Sequence, residues 1–174
     1  MHIIVKQVLE AVQILEAVMG KARAGEGGVS YPQGNRCNVT ALRKATRHVS
    51  QFYDTLLAPL GLRSTQRAIL VYVARAETPT MSELAAALVL DRTALNHNLK
   101  PLQRDGLVEI AVDESDRRSR RIRLSRRGEA KLRESQAAWK QAQEKFEAAF
   151  GTKQSAALRA SLELIASLEF SETL

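Results

Sequence analysis

The chain has 174 residues, enough for one domain with a sizeable core or for one domain plus an extension. Its formal net charge is +7 and its pI is near 9.9, a balance that suits a polyanionic partner. The single cysteine, Cys37, excludes an intramolecular disulfide and points to a reducing compartment, so the expected location is cytoplasmic.

The chain opens on MHIIVKQVLEAVQILEAVMG, where Ile4, Val8, Leu15 and Val18 take helical spacing over residues 3–19. Lys6, Gln7, Glu10, Gln13 and Glu16 interrupt the apolar run, so this segment is neither a membrane span nor the core of a signal peptide. Residues 20–36 hold five of the nine glycines and Pro32, the composition of a flexible linker. A long amphipathic helix is expected over 39–57, with Leu42, Ala45, Val49, Phe52 and Leu56 on one side and Pro59 and Gly61 at its end. Residues 64–76 form a shorter helix whose run AILVYVA is apolar nearly all round, as a central buried element should be. Thr80-Met81-Ser82-Glu83 reads as a capping box opening a third helix through Leu88. Asp91 caps a fourth that runs to Arg104 and is closed by Gly106. Two strands, 107–112 and 120–124, precede a helix over 126–149 with heptad-spaced Leu132, Trp139 and Phe146. Gly151 breaks it, and Thr152 can cap a last helix with Leu158, Leu162, Ile165 and Leu168 on one face.

The most telling stretch is 113–128, DESDRRSRRIRLSRRG, with seven arginines between Arg117 and Arg127. Arg121, Ile122, Arg123 and Leu124 alternate, the pattern of a strand with one buried face, so the arginines decorate the tip and exposed face of a β-hairpin. Such a hairpin can enter a DNA groove. The charge is also concentrated: residues 88–127 carry ten Lys/Arg against six Asp/Glu, more than half of the whole excess. A general solubility surplus would be spread more evenly.

Two short helices at 81–88 and 91–105 with a tight connection form a helix-turn-helix, and the hairpin behind them makes it winged. At about 100° per residue, Leu95, Leu99 and Leu102 fall on one side of the second helix. Thr93, His97, Lys100 and Arg104 fall opposite, with Asn96 on the flank. The N-terminal residues of such a helix face the groove floor, which makes Arg92, Thr93, Asn96 and His97 candidates for base contact and Lys100 a candidate for phosphate. Pro101 forfeits one helical hydrogen bond and falls near the outward face.

Together, GLRSTQRAILVYVA, SELAAAL, DRTALNHNLKPLQRDGLV and the arginine hairpin resemble the MarR family of winged-helix regulators over about residues 37–170. The hairpin carries the most specific likeness, a D-x-x-D-R-R-S…L-(T/S)-x-x-G pattern at Asp113, Asp116, Arg117, Arg118, Ser119, Leu124, Ser125 and Gly128. The resemblance implies a mainly α (α+β) fold whose winged helix-turn-helix is flanked by long N- and C-terminal helices that form a homodimerisation domain. It divides the chain into an extra helix and linker (1–36), a dimerisation helix (37–62), the DNA-binding domain (63–125) and C-terminal dimerisation helices (126–174). It further implies that each subunit reads half of a palindromic duplex site. Arg118 would enter the minor groove with Asp116 as its brace, and Arg117 and Arg120 would meet phosphates. A dimer also follows from the residues themselves, because the seam of the 126–149 helix and the stripe of the last helix exceed what a small winged domain can bury. By the same resemblance, a small anionic or aromatic effector would occupy a cleft near Arg43, Arg47, His48, Phe52, Tyr53 and Trp139.

The expected function is thus a dimeric, sequence-specific transcriptional regulator, a repressor relieved by a small-molecule ligand. Alternatives are a thiol-based redox-sensing regulator acting through Cys37, or a winged-helix protein-interaction module. Cys37 lies near where one branch of the family carries a reactive thiol, but two residues off when counted from Tyr53. An enzyme is not expected: His2, His48, His97 and Cys37 sit on different elements, and no metal-ligand spacing, phosphate loop or paired carboxylates occur in the sequence. No cofactor is implied.

Overall fold

Six helices and one two-stranded sheet make up residues 37–168, the part of the chain that the computed structural model describes. The helix expected over 3–19 and its glycine-rich tether lie outside the described residues. The chain divides into two compact units, Met1–Ala41 and Leu42–Leu174, and of the first only Cys37–Ala41 is described. In order, the elements are α1 (Asn38–Leu57), a single 3-10 turn (Ala58–Leu60), α2 (Ser64–Ala76), α3 (Met81–Ala87), α4 (Arg92–Arg104), β1 (Val108–Val112), β2 (Arg120–Leu124), α5 (Arg126–Phe150) and α6 (Thr152–Ser167). No helix among the described residues is long and apolar enough to cross a membrane.

The core is a winged-helix core. Ile69, Leu70 and Val73 on α2 pack with Leu84 on α3, Leu95, Leu99 and Leu102 on α4, and Leu107, Val108 and Ile122 on the hairpin. Each is at most 5% exposed, so truncation of any of the leucines or isoleucines to alanine should cost about 2–5 kcal/mol. The strands pair antiparallel with Ile110 opposite Ile122, and the expected alternation holds: Ile122 is buried between exposed Arg121 and Arg123. The sheet has an addition the sequence did not reveal. The Ile122 N–H donates to the Pro79 carbonyl at 2.9 Å, and Thr80 bridges Arg121, so the segment ahead of α3 lies along β2 like a third, very short strand.

The expected seam of α5 is only half-buried. Leu132, Trp139 and Phe146 lie at intermediate exposure, whereas the buried line is Gly128, Ser135 and Ala142, equally heptad-spaced. Small side chains win that position because α5 runs close against α2 and the hairpin. Gly128 is the extreme case: a Cβ there would stand 2.9 Å from the Leu107 carbonyl carbon and closer still to its oxygen. The last helix also differs in its start. Thr152 is its first residue rather than its cap, because Gly151, at φ +99°, closes α5 through its N–H to the Glu147 carbonyl and leads directly into α6 with no side-chain cap.

Two turns orient α4. At its end, the Gly106 N–H donates to the Gln103 carbonyl (3.0 Å) and the Leu107 N–H to the Leu102 carbonyl (2.8 Å), a Schellman motif with Gly106 at φ +67°. The turn between α3 and α4 has the same geometry: Val89 N–H to Ala86 carbonyl (3.1 Å) and Leu90 N–H to Ala85 carbonyl (2.9 Å). Here, however, the left-handed position (φ +51°) is held by valine, a β-branched residue that fits it poorly.

Candidate nucleic-acid interface

The recognition helix, α4, begins where the Asp91 carboxylate accepts the Ala94 N–H at 2.7 Å. Ahead of it, α3 starts with the full reciprocal box: the Glu83 N–H donates to Thr80 Oγ1 (3.2 Å), and the Thr80 N–H to the Glu83 carboxylate (2.7 Å). The Thr80 amide and hydroxyl hold the Glu83 carboxyl below its usual range. With Leu95, Leu99 and Leu102 fixed in the core, Arg92, Thr93, Asn96, His97 and Lys100 are all exposed. Asn98 is spent within the helix, its amide donating to the Ala94 carbonyl at 2.8 Å, which leaves Asn96 as the exposed amide of its first half. Pro101 is half-buried, lining a groove with Ala58, Leu62 and Thr65 rather than simply facing solvent. The later turns of α4 therefore lie along the α1–α2 connection, and the openly presented part of the helix is its first half.

The hairpin sorts its arginines by what holds them. Along its strands Arg121 Nε donates to Asp113 at 2.7 Å, and Arg123 pairs with Glu109, its direct cross-strand partner, at 2.6 Å. At the tip, Arg117, Arg118 and Arg120 are exposed and enter no ion pair among the described residues. The tip itself is a turn in which the Ser119 N–H donates to the Asp116 carbonyl (2.8 Å) and the Arg118 N–H to the Asp116 carboxylate (2.9 Å). Asp116 thus braces the backbone of Arg118. The short Asp116 side chain reaches the amide two residues on, as in an Asx-turn. Asp113 is the better-buried acid of the hairpin. The Ser115 N–H (3.0 Å) and O–H (2.8 Å), then Arg121, hold its carboxyl below the usual carboxylate range.

The residues expected around an effector cleft are partly brought together. His48 and Phe52 on α1 line a groove of about 400 Å³ with Val49 and with Lys145, Phe146, Ala149 and Phe150 of α5. Tyr53 stands beside it, edge-on to Phe52, its hydroxyl donating to Gln143. Arg43 and Arg47 are exposed on α1 and do not line the groove. Trp139 is elsewhere: its ring lies 4.8 Å beneath the guanidinium of Arg67, a residue on α2 that the sequence reading passed over. Arg67 is only 7% exposed, and its Nε and Nη2 donate to Ser135 (3.1 Å) and Gln136 (2.8 Å), both neutral. Burial lowers its pKa. A cation three residues ahead of Leu70, on the apolar side of α2, was the available signal.

A helix anchored by leucines and exposed in amide, hydroxyl, imidazole and cation, followed by a hairpin with free arginines at its tip, is a winged helix-turn-helix built for duplex DNA. The MarR family model matches residues 60–119, which span α2 through the wing turn. The transcriptional regulator MOSR of M. tuberculosis, solved in complex with DNA, is 33% identical, with 76% of this chain and 100% of that one covered at a TM-score of 0.64. This chain belongs to the MarR family, whose members are DNA-binding transcriptional regulators. Two more distant structures share the fold. A mutant MarR from E. coli complexed with operator DNA is 21% identical (73% of this chain, 91% of that one, TM-score 0.66). CouR from Rhodococcus jostii bound to p-coumaroyl-CoA is 22% identical (79% and 96%, TM-score 0.66). No curated protein matches the chain.

Proposed function

We propose that the protein is a homodimeric, sequence-specific regulator that binds a palindromic duplex site as a repressor and is released by a small anionic or aromatic effector. The observation that carries it is the pairing of the exposed first half of α4 with the free arginines of the wing tip. Asn96 and Arg92 suit base edges, Thr93 and His97 suit bases or the flanking backbone, and Lys100, Arg117 and Arg120 suit phosphates. Arg118, at the turn, is the groove residue. The DNA-bound MOSR structure supports duplex binding by a chain of the same family.

Dimerisation is supported by apolar surface that nothing among the described residues covers: Leu158, Leu162 and Ile165 on α6 and Leu168 just past its end are 36–50% exposed. An effector is supported by the groove between α1 and α5, whose aromatic walls are flanked by His48 and Lys145, and by the p-coumaroyl-CoA bound in CouR. The test is binding to duplexes selected from a random library. Affinity should fall steeply with salt, Asn96→Ala should change which sequences are preferred, and Lys100→Ala should weaken all of them alike. A flat salt response would replace this reading with a protein-contact module.

A second reading has its own observation. The exposed Cys37 sits at the start of α1, and hydrogen bonds from the side chain and amide of Thr40 lower its thiol pKa, which favours the reactive thiolate. Thiol-based sensing through Cys37 would appear as loss of DNA binding on treatment with peroxide, absent in Cys37→Ser.

A further inference from the structure

The wing has no core of its own. From Glu114 to Arg118 every residue is exposed, and the tip is shaped only by its own turn and by the Asp113 N–H donating to the Ser119 carbonyl (3.1 Å). Besides backbone pairing, one side chain joins the hairpin to the rest of the helix-turn-helix at this end. Arg121 Nε donates to Asp113 Oδ2 at 2.7 Å, and its Nη1 donates to the Thr78 carbonyl, just ahead of α3, at 2.9 Å. The other Asp113 oxygen is filled by the Ser115 N–H and O–H, so the carboxylate is engaged on both sides and only 8% exposed. The backbone bridge from Thr80 to Arg121 and the bond from Ile122 to Pro79 lie immediately beside this clasp.

We propose that Arg121 is a positioning residue for DNA binding: by clasping Asp113 to the Thr78 carbonyl it sets the angle of the wing to the recognition helix, and so where Arg118 meets the duplex. This rests on the DNA-binding reading above. At a fully extended rise of about 3.3 Å per residue, Arg118 stands at most about 10 Å beyond the clasp. A tilt of about 10° there moves the tip by up to nearly 2 Å, more than the roughly 0.5 Å that a contact of defined geometry tolerates. The same arginine is a poorer phosphate ligand than its neighbours, because Nε and Nη1 already serve acceptors within the protein. A sequence reader counting arginines would place Arg121 with Arg117, Arg118 and Arg120; the structure separates it from them.

The experiment measures binding of the full chain to a duplex that the unaltered protein selects from a random library, across a salt series, with thermal unfolding of each variant alongside. Arg121→Gln and Asp113→Asn should each weaken binding about tenfold, the scale of one lost base contact, with the slope of log K against log salt unchanged. The double variant should be no weaker than the weaker single one, because both remove the same clasp. Arg117→Gln, at a phosphate contact, provides the contrast, lowering the slope by about one. Should Arg121→Gln not fold, Arg121→Lys carries the test, since it keeps the charge but cannot span both acceptors: weaker binding at unchanged slope supports the clasp. A slope reduced by about one in the Arg121 variant would make it a phosphate contact and overturn the proposal, as would affinity within about twofold of the unaltered protein. If the unaltered protein selects no duplex, the DNA-binding reading itself fails and the proposal with it.

Discussion

Replacing Gly128 by alanine tests how tightly α5 is seated on the winged domain. The added Cβ would stand 2.9 Å from the carbonyl carbon of Leu107 and 3.3 Å from its Cα, where carbon atoms prefer about 3.5–4.0 Å. The carbonyl carbon alone therefore requires a retreat of about 0.6 Å, and the oxygen requires more. Neither side yields freely. Leu107 is tied to the end of α4 by its N–H to the Leu102 carbonyl (2.8 Å), and its carbonyl accepts the Ser125 N–H (3.1 Å). Ser125 in turn holds the start of α5, donating its O–H to the Gly106 carbonyl (2.6 Å) and accepting the Gly128 N–H (3.0 Å). Overpacking costs about 1–3 kcal/mol, and each strained or broken hydrogen bond costs about 1 more. Alanine's better helix propensity returns about 1. A net loss of about 2–4 kcal/mol is expected, read as a lower urea midpoint at unchanged m-value. Gly106→Ala is the comparison: no atom lies within 4 Å of its added Cβ, so only the positive φ is penalised, at about 1–2 kcal/mol. A Gly128→Ala protein as stable as the original would refute the close seating of α5 and the reasoning built on it.

Val89→Gly should stabilise the protein by roughly 0.5–1 kcal/mol, because relief of a left-handed valine outweighs the entropy glycine adds to the unfolded chain; a lower urea midpoint would show that the turn is not strained. Its side chain is 73% exposed, so little packing is lost. Arg67→Met should leave stability within about 1 kcal/mol of the original, since a desolvated guanidinium with neutral acceptors is exchanged for an apolar chain of similar length. A loss above about 2 kcal/mol in the same urea assay would mean that the contacts to Ser135, Gln136 and Trp139 outweigh its desolvation. Because the Asp113 carboxyl is held below the usual range, its contribution is complete above about pH 4, where free aspartate titrates, and is lost only as pH falls through its lower folded value. Protection of the Ser115 amide, its exchange rate relative to that of a free amide at the same pH, should therefore persist at pH 5 and fall only in stronger acid; its loss already at pH 5 would contradict the clasp.

Much of the DNA-facing architecture was legible from neighbours in the chain. The Thr80–Glu83 box, the Asp91 cap, the Gly106 close and the alternation from Arg121 to Leu124 each depend on residues within a few positions of one another, where spacing determines geometry. The leucines of α4 were legible for the same reason, since helical phase places Leu95, Leu99 and Leu102 together whatever they pack against. Trp139 was not. It shares a heptad with Leu132 and Phe146, but its partner is Arg67, 72 positions earlier in the numbering. Nor was the seating of α5, where Gly128 meets the backbone of Leu107. Spacing shows which side of a helix is apolar, and says nothing of how near the neighbouring backbone will come.

The sequence by itself determined the elements of residues 37–168, the caps of α3 and α4, the inward face of the recognition helix and the presence of an arginine-rich hairpin, because all of these are local. Only the tertiary structure decided how the arginines divide. Arg121 and Arg123 are held by Asp113, Thr78 and Glu109, while Arg117, Arg118 and Arg120 remain exposed at the tip. The physical reason is that a guanidinium's role depends on which acceptors the fold brings within about 3 Å of it, and the Thr78 carbonyl lies 43 positions before the arginine it receives.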